Sequence, residues 1–181
     1  MADPKRQLAG RRSKVAGEAF ERLLSASCEY YRAENTACIE KTPEPMRPLS
    51  PYGDRRSGRY IACFVKTAQP DFKGILRDGT CIMFEAKHTD TDRIRQEAVT
   101  DTQWKNLECY EQYGARCYVM VSLGLKDFYR VPWSIWKRMK EHFGHQYMNQ
   151  EELQPYRIVM EKGILDFLHG TEERAAWRAE Q

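Results

Sequence analysis

Apolar residues recur at helical spacing in two long segments of the chain. The first segment follows Ser13, a residue type favoured at helix N-caps, and Asn35 can end it. Its recurring apolar positions are Ala16, Phe20, Leu23, Leu24 and Tyr31. The second covers residues 100–113, where Gln103, Leu107 and Tyr110 share one face. A third helix is predicted to start at Pro132, because proline is favoured at the first helical position.

Short apolar runs between these segments predict strands. The predicted strands are residues 36–40, 60–65, 72–76, 80–86, 115–123, 127–131 and 156–160. Residues 163–168 are predicted as a short closing helix, and residues 88–93 as a polar loop. Helices and strands therefore mix along the chain.

One predicted hairpin has a register that matters for function. Its strands are joined by Arg77-Asp78-Gly79, a strong hairpin signal. A two-residue turn would pair Asp71 with Ala86 and place Glu85 on the opposite face. A three-residue loop, with Gly79 in the left-handed region, would pair Asp71 with Glu85 instead.

The second register has a chemical argument in its favour. It places Asp71, Glu85 and, two residues further on, Lys87 on one face, because strand side chains alternate. Two carboxylates and an amine suit a hard divalent cation and a water molecule to be activated. We therefore predict the three-residue loop and a metal site at this edge of the sheet.

A proline-rich stretch interrupts the pattern between residues 41 and 59. It carries four prolines and no usable periodicity, and a strand is predicted directly after it. Prolines stiffen such a segment, and long loops in compact domains are often functional. We predict a stalk at about residues 42–59, projecting between two strands of one sheet. Its basic residues are Lys41, Arg47, Arg55, Arg56 and Arg59.

Length and composition indicate one domain. A chain of 181 residues can bury a substantial core. We predict a flexible basic arm at residues 1–12, a single domain at 13–170 and a frayed tail at 171–181. No run of about 18 apolar residues predicts a membrane span, and the N-terminus does not resemble a secretory signal. Six scattered cysteines without metal-site spacing favour a reducing, cytoplasmic compartment.

The charge is uneven although the net value is only +3. Residues 1–16 hold five basic side chains against one acidic, and residues 41–66 hold six against two. Local basic patches on a nearly neutral chain point to a polyanionic partner, whereas a plain solvated surface is the simpler alternative. Beyond the stalk, the candidate residues for binding this polyanion are Arg11, Arg12, Lys14 and Lys66.

Two further polar residues are weighed for the site. Glu21 lies beside the apolar stripe of the first helix, so it is a candidate to support or bind the metal, although an exposed helical charge is the commoner case. His88 could be a metal ligand beside Glu85, but a lone histidine after a strand is more often a surface residue, and we favour that. No Ser-His-Asp or Cys-His arrangement and no glycine-rich phosphate loop is found.

Several motifs together resemble one enzyme family. They are Gly17-x-x-Phe20-Glu21, Ile39-Glu40-Lys41-Thr-Pro43-Glu-Pro45-Met46, Asp71-Phe-x-Gly74, Phe84-Glu85-Ala86-Lys87-x-Thr89, Gln103-x-x-x-Leu107 and Gly114-Ala115. In this combination the chain resembles RecU-type Holliday junction resolvases of the PD-(D/E)xK nuclease superfamily. The resemblance runs from about residue 15 to residue 132 and continues faintly to about residue 168.

The resemblance implies an α/β fold with a central mixed sheet flanked by helices, a restriction-endonuclease-like core and a stalk. It implies that Asp71 and Glu85 bind Mg²⁺, with Mn²⁺ as a substitute, and that Lys87 orients or helps to deprotonate the attacking water. Glu21 and Gln103 match supporting positions. A homodimer would place its stalk in the open centre of a four-way DNA junction during recombination and repair. Recombination proteins are expected as further partners, and no membrane is expected.

Two positions depart from the family pattern. Pro70 stands where the family tends to have Thr or Ser, and Thr102 where it tends to have His. Neither replaces a predicted metal ligand, but both bear on the choice of substrate. Two alternatives are therefore kept: a related endonuclease acting on duplex or flap DNA, and a non-catalytic DNA-binding module of the same fold. The intact Asp71, Glu85 and Lys87 argue against the second.

Overall fold

The computed structural model describes residues 4–65 and 69–168. Helix α1 spans Pro4–Ala33, so the predicted start at Ser13 is too late. Lys, Arg, Gln, Leu and Ala are good helix formers, and proline suits the first turn, so the basic residues assigned to an arm continue the helix. The boundaries of arm, domain and tail otherwise stay a prediction, and residues 171–181 and Lys66 lie outside the described residues.

Six strands form the central sheet. They are β1 (Ala37–Lys41), β4 (Phe72–Leu76), β5 (Cys81–Thr89), β7 (Arg116–Leu123), β8 (Asp127–Pro132) and β10 (Arg157–Ile158). Strands β2 (Met46–Pro51), β3 (Tyr60–Phe64) and β6 (Arg93–Arg95) belong to smaller sheets. The sheet order is β1-β4-β5-β7-β8-β10. Among the described strands of this sheet, β5 and β7 pair in parallel and the other pairs are antiparallel. The predicted mixed sheet is confirmed.

Helices cover the two faces of this sheet. Helices α2 (Asp101–Gln112), α3 (Trp133–Trp136), α4 (Met139–Phe143) and α5 (Gln150–Leu153) follow α1 in the chain. The stripe of α1 that contains Phe20 and Leu24 packs with Phe72 and Phe84 in one core. Leu107 of α2 packs with strand β7 and the tryptophans of α3 in a second core. No helix in the described ranges is long and apolar enough to span a membrane.

The β4–β5 hairpin has the predicted three-residue loop. Phe72 pairs with Phe84, and Gly79 has a φ of 86°. This value lies in the left-handed region that glycine adopts without steric cost. The prediction of the register is therefore confirmed.

Gly74 in β4 allows an unusually close approach of β1. A Cβ atom at this position would lie 2.5 Å from the Cα of Ile39, its partner in β1. A side chain there would force the two strands apart. The glycine of the Asp71-Phe-x-Gly74 motif therefore has a packing reason.

The proline-rich segment forms a separate two-stranded ribbon. β2 pairs only with β3 among the described strands, so β3 does not join the central sheet as predicted. The side chains of the ribbon are largely exposed on both faces, so the ribbon lacks the buried face of a strand pair that packs on a core. Val65 N donates to Pro45 O at 2.8 Å, so the two ends of the projection meet. The ribbon with its closing bond spans residues 45–65, and we call this segment the stalk; the bounds predicted for it, about residues 42–59, stay a prediction.

The end of the domain also differs from the prediction. Residues 163–168 are not a helix, because β12 (Ile164–Leu165) pairs with β11 (Met160–Glu161). Lys162 and Gly163 both have positive φ, as a two-residue hairpin turn requires. The loop predicted at residues 88–93 is also shorter, since β5 continues to Thr89 and β6 pairs with β9 (Tyr147–Asn149).

Candidate active site

The hairpin brings the predicted carboxylates together. Phe72 and Phe84 are direct partners, so the residues beside them, Asp71 and Glu85, lie opposite each other. Asp71 Oδ2 accepts a hydrogen bond from Ala86 N at 2.9 Å. Lys87 Nζ lies 3.5 Å from Glu85 Oε2. Three of the five predicted catalytic residues therefore share one small site, while their catalytic roles stay a prediction.

Glu85 is the most unusual group of the site. Its side chain is fully buried, and Oε1 has no hydrogen-bond partner among the described residues. Burial raises the pKa of Glu85 to about 9, the negative charge of Asp71 adds to this, and Lys87 opposes it. A carboxylate is rarely buried in this way unless a charge or a cation compensates for it.

Gln103 comes from α2 and connects two of these groups. Its Nε2 donates a hydrogen bond to Glu85 Oε2. Its Oε1 accepts one from Lys87 Nζ at 3.0 Å. Gln103 therefore holds the carboxylate and the amine in a fixed relation, as a supporting residue would.

Glu21 forms an ion pair with Lys41, and its predicted role in supporting or binding the metal stays a prediction. Its Oε2 lies 2.6 Å from Lys41 Nζ at the end of β1, rather than on Asp71 or Glu85. The pKa of Lys41 is raised by this hydrogen bond and further by the charges of Glu21 and Asp71, against partial burial. Lys41 thus carries a positive charge toward the site, with Glu21 as its anchor. The alternation along β1 could not reveal this pair, because Glu21 lies on another element.

The side chains present fit a divalent cation. Within the described residues, no group of three His, Cys, Asp or Glu side chains is arranged to hold a metal. Two facing carboxylates are available, however, and the free Oε1 of Glu85 lacks a partner that a cation would supply. Mg²⁺ is commonly bound by one or two carboxylates with water and substrate phosphate. The two carboxylates of Asp71 and Glu85 match this mode of Mg²⁺ binding.

His88 does not belong to this cluster. It follows Lys87 in β5, so its side chain lies on the opposite face of the strand. The ring is 2% exposed, which corrects the prediction of a surface residue. Its Nδ1 is 3.2 Å from Ser122 Oγ and its Nε2 is 3.1 Å from Asp90 Oδ1. Because Ser122 is fully buried, this trio ties β5 to β7 and presents no accessible nucleophile.

A cleft of about 310 Å³ opens beside the carboxylates. The base of the stalk, with Phe64 and Val65, forms one wall, and the first turn of α2, with Gln103, forms another. Asp71 lies in the wall of the cleft. A strand of substrate could therefore reach the site between the stalk and the helix.

The candidate DNA-binding residues are distributed over α1, the end of β1 and the stalk. The exposed ones are Arg11, Arg12 and Lys14 on α1, Lys41 on β1, and Arg47, Arg56 and Arg59 on the stalk. The backbone of Arg55 lies in a short 3₁₀ turn at the end of the stalk. Their role in binding DNA stays a prediction.

The pH dependence of stability should report the buried carboxylate. Glu85 has a folded-state pKa of about 9 against an ordinary value of 4.5, so the native metal-free protein binds more protons than the unfolded chain between these values. Its free energy of unfolding should fall as pH rises through this window, by up to about 1.4 kcal/mol per pH unit. Glu85→Gln should remove this slope in urea unfolding with EDTA.

Glu108→Gln is the matched control for that measurement. Hydrogen bonds from Trp133 and Lys137 lower the pKa of Glu108, against partial burial. Glu108 therefore contributes stability above its unfolded pKa that is lost on acidification, so its replacement should alter only the acid side. If the free energy of unfolding of Glu85→Gln still fell with pH between 4.5 and about 9 as it does in the parent, the assignment of Glu85 would be wrong.

Fold and site together define a class of protein. A mixed sheet with an aspartate, a glutamate and a lysine on the strands of one hairpin is the pattern of PD-(D/E)xK nucleases. A family model described as "RecU: Recombination protein U" matches residues 15–173. The chain belongs to the RecU family.

Curated relatives carry the same family name. The chain is 26% identical over 154 residues to the Holliday junction resolvase RecU of Streptococcus gordonii, a match that covers 82% of this chain and 76% of that protein. It is 33% identical over 75 residues to the Holliday junction resolvase RecU of Bacillus thuringiensis, covering 40% of this chain and 37% of that one.

A solved structure is also similar. It is Hjc of Archaeoglobus fulgidus, titled a Holliday junction resolvase from an archaeal hyperthermophile. The TM-score is 0.47 at 13% identity, over 77% of this chain and 88% of that one.

Proposed function

We propose that this RecU-family nuclease is a Mg²⁺-dependent endonuclease that resolves four-way DNA junctions in recombination and repair. The observation that carries the proposal is the buried Glu85, which faces Asp71 and has one carboxylate oxygen without a partner in the part of the chain that the structure describes. A purely structural carboxylate would gain nothing from this arrangement, because burial without compensation is costly.

Each side chain of the candidate active site would have a separate role in cleavage. Asp71 and Glu85 would hold the cation, for which Mn²⁺ should substitute. When bound, the cation supplies positive charge for the scissile phosphate and lowers the pKa of the attacking water. Lys87 Nζ, held by Gln103 at 3.0 Å, orients that water or helps to take its proton. Lys41, anchored on Glu21, adds a positive charge at the mouth of the site.

Substrate binding would depend mainly on charge. The basic residues of α1 and of the stalk would contact phosphates, and such contacts position DNA without reading its bases. A stalk that projects from the sheet beside the metal site has no place in a continuous duplex. The open centre of a four-way junction offers one, which favours junction DNA over duplex or flap DNA.

A second copy of the chain would cover one face of the stalk. Tyr60 and Phe64 lie on the same face of β3 and pair with Pro51 and Met46 of β2. Tyr60, Phe64 and Met46 are each more than half exposed. An isolated two-stranded ribbon is marginally stable in water, and a self-complementary apolar face is typical of a two-fold interface. These features support a homodimer that joins its stalks and sets two sites on two junction strands.

The cellular setting follows from the proposed substrate. Junction DNA arises at the nucleoid, so we place the protein in the cytoplasm, where its six free cysteines suit a reducing compartment. Recombination proteins that create or move junctions would be its partners.

Cleavage of a mobile four-way junction tests the proposal. Parent protein with Mg²⁺ should cut opposed strands of the junction and leave matched duplex and flap substrates largely uncut, and EDTA should stop the reaction. Equal cutting of duplex or flap DNA would favour the generic endonuclease. Junction binding without any cutting, in Mg²⁺ or Mn²⁺, would favour the non-catalytic module.

A further inference from the structure

The N-cap of α2 shares a side chain with the candidate active site. Thr100 caps the helix, and Gln103 closes a capping box with it. Gln103 is also the residue that contacts both Glu85 and Lys87. One amide group therefore serves the helix terminus and the site at the same time.

The donors around Gln103 determine how its amide is oriented. Its Oε1 faces the backbone N–H of Thr100 at 3.1 Å and the ammonium group of Lys87 at 3.0 Å. Both groups can only donate hydrogen bonds, so the amide oxygen must face them. The amide nitrogen is then left to donate to Glu85. A flipped amide would set its oxygen against a carboxylate and its nitrogen against two donors.

The hydroxyl of Thr100 strengthens this orientation. Its Oγ1 donates to Gln103 Oε1 at 3.1 Å, and it accepts from the backbone N–H of Gln103 at 3.4 Å. These bonds hold both the backbone and the side chain of Gln103. Without the hydroxyl, the helix terminus would lose its cap and the amide would lose one of its three donors.

We propose that Thr100 is a positioning residue of this nuclease: through Gln103 it fixes the Glu85 carboxylate toward the cation and the Lys87 amine toward the water. This inference rests on the proposed function. It differs from a simple helix cap, because a cap alone would affect stability but not metal affinity.

The chain offers a matched control for the experiment. Asn149 and Glu152 form a second capping box on α5, with hydrogen bonds of 3.0 and 2.9 Å. Neither residue contacts a residue of the candidate site. Asn149→Ala should therefore lower the stability, as the loss of a helix cap does, without changing Mg²⁺ affinity or junction cleavage.

The experiment compares the parent with Thr100→Val, Thr100→Ser and Asn149→Ala. Mg²⁺ affinity is measured by calorimetry, and junction cleavage is measured over a range of Mg²⁺ concentrations. Thr100→Val should weaken Mg²⁺ binding and raise the Mg²⁺ concentration for half-maximal cleavage about tenfold, the scale of one lost hydrogen bond. Thr100→Ser keeps the hydroxyl, so it should match the parent in both values. Asn149→Ala should leave both values unchanged.

The outcomes separate this inference from the proposed function. If the parent binds Mg²⁺ and cuts junctions while Thr100→Val matches it in both assays, the positioning role is wrong and the nuclease remains. If Thr100→Ser behaves like Thr100→Val, the hydroxyl is not the cause and the inference fails. If Asn149→Ala loses as much as Thr100→Val, the effect is one of stability and the inference fails as well. A parent that neither binds Mg²⁺ nor cuts would overturn the proposed function and this inference with it.

Discussion

Asp71→Asn and Glu85→Gln should each abolish junction cleavage while leaving junction binding largely intact. The two carboxylates face each other across the β4–β5 hairpin, and Glu85 is fully buried. Each replacement keeps the size of the side chain but removes the charge that would bind the cation. Metal assistance is worth several kcal/mol at the transition state, so cleavage should fall at least about a thousandfold. Phosphate contacts come from other residues, so affinity should change little.

The measurement is cleavage of a mobile four-way junction in Mg²⁺, with a gel shift of the same junction in Ca²⁺. Glu108→Gln is the matched control, because this carboxylate on α2 bonds to Trp133 and Lys137 rather than to the site. It should cut at the parent rate. Mg²⁺-dependent cutting by Asp71→Asn at a rate near the parent's would refute the assignment of the site.

Replacement of residues 47–63 by Asn-Gly should weaken junction binding and resolution far more than duplex binding. Met46 pairs directly with Phe64, so a two-residue turn can close the shortened ribbon. The removed residues are mostly exposed and contribute little to either core. Their loss removes basic side chains, which weakens all DNA binding at low salt. Junction affinity should fall by roughly a further tenfold, because only a junction accommodates the stalk.

A second variant separates charge from shape. Arg47→Gln, Arg56→Gln and Arg59→Gln together keep the ribbon and remove charge, so they should weaken junction and duplex binding similarly. Thermal melting confirms folding, and sedimentation reports whether the shortened stalk still supports a dimer. A folded deletion variant that binds and cuts junctions as the parent does would leave only a generic nuclease.

The hairpin was accessible from sequence because its rules are local. The turn residues allow two registers, and the chemistry of two carboxylates and an amine favoured the three-residue loop; alternation then sets the face of each side chain. Asp71, Glu85 and Lys87 could therefore be placed together from positions within one hairpin. The long apolar strand β7 and the capped helix α2 are likewise properties of continuous segments.

The errors fall where distant segments decide the outcome. Residues 60–65 look like any strand, and whether they join the central sheet depends on which edge is free to pair. The sequence predicts a helix at residues 163–168, yet the hydroxyl of Tyr31 in α1 donates a hydrogen bond to the carbonyl of Leu165 at 3.1 Å and helps to hold an extended segment there. Burial of His88 likewise depends on Ser122 in a neighbouring strand.

The α/β pattern, the hairpin and the pair of carboxylates that suits a divalent cation can be predicted from local sequence. How these carboxylates are held depends on contacts between elements that are distant in the chain. Gln103 reaches Glu85 and Lys87 because α2 packs on β7, and Glu21 reaches Lys41 because α1 crosses the sheet. Local periodicity tells which face a residue occupies, whereas a contact between two elements depends on how whole faces pack. The unpartnered oxygen of Glu85 becomes visible only when every neighbour has been placed.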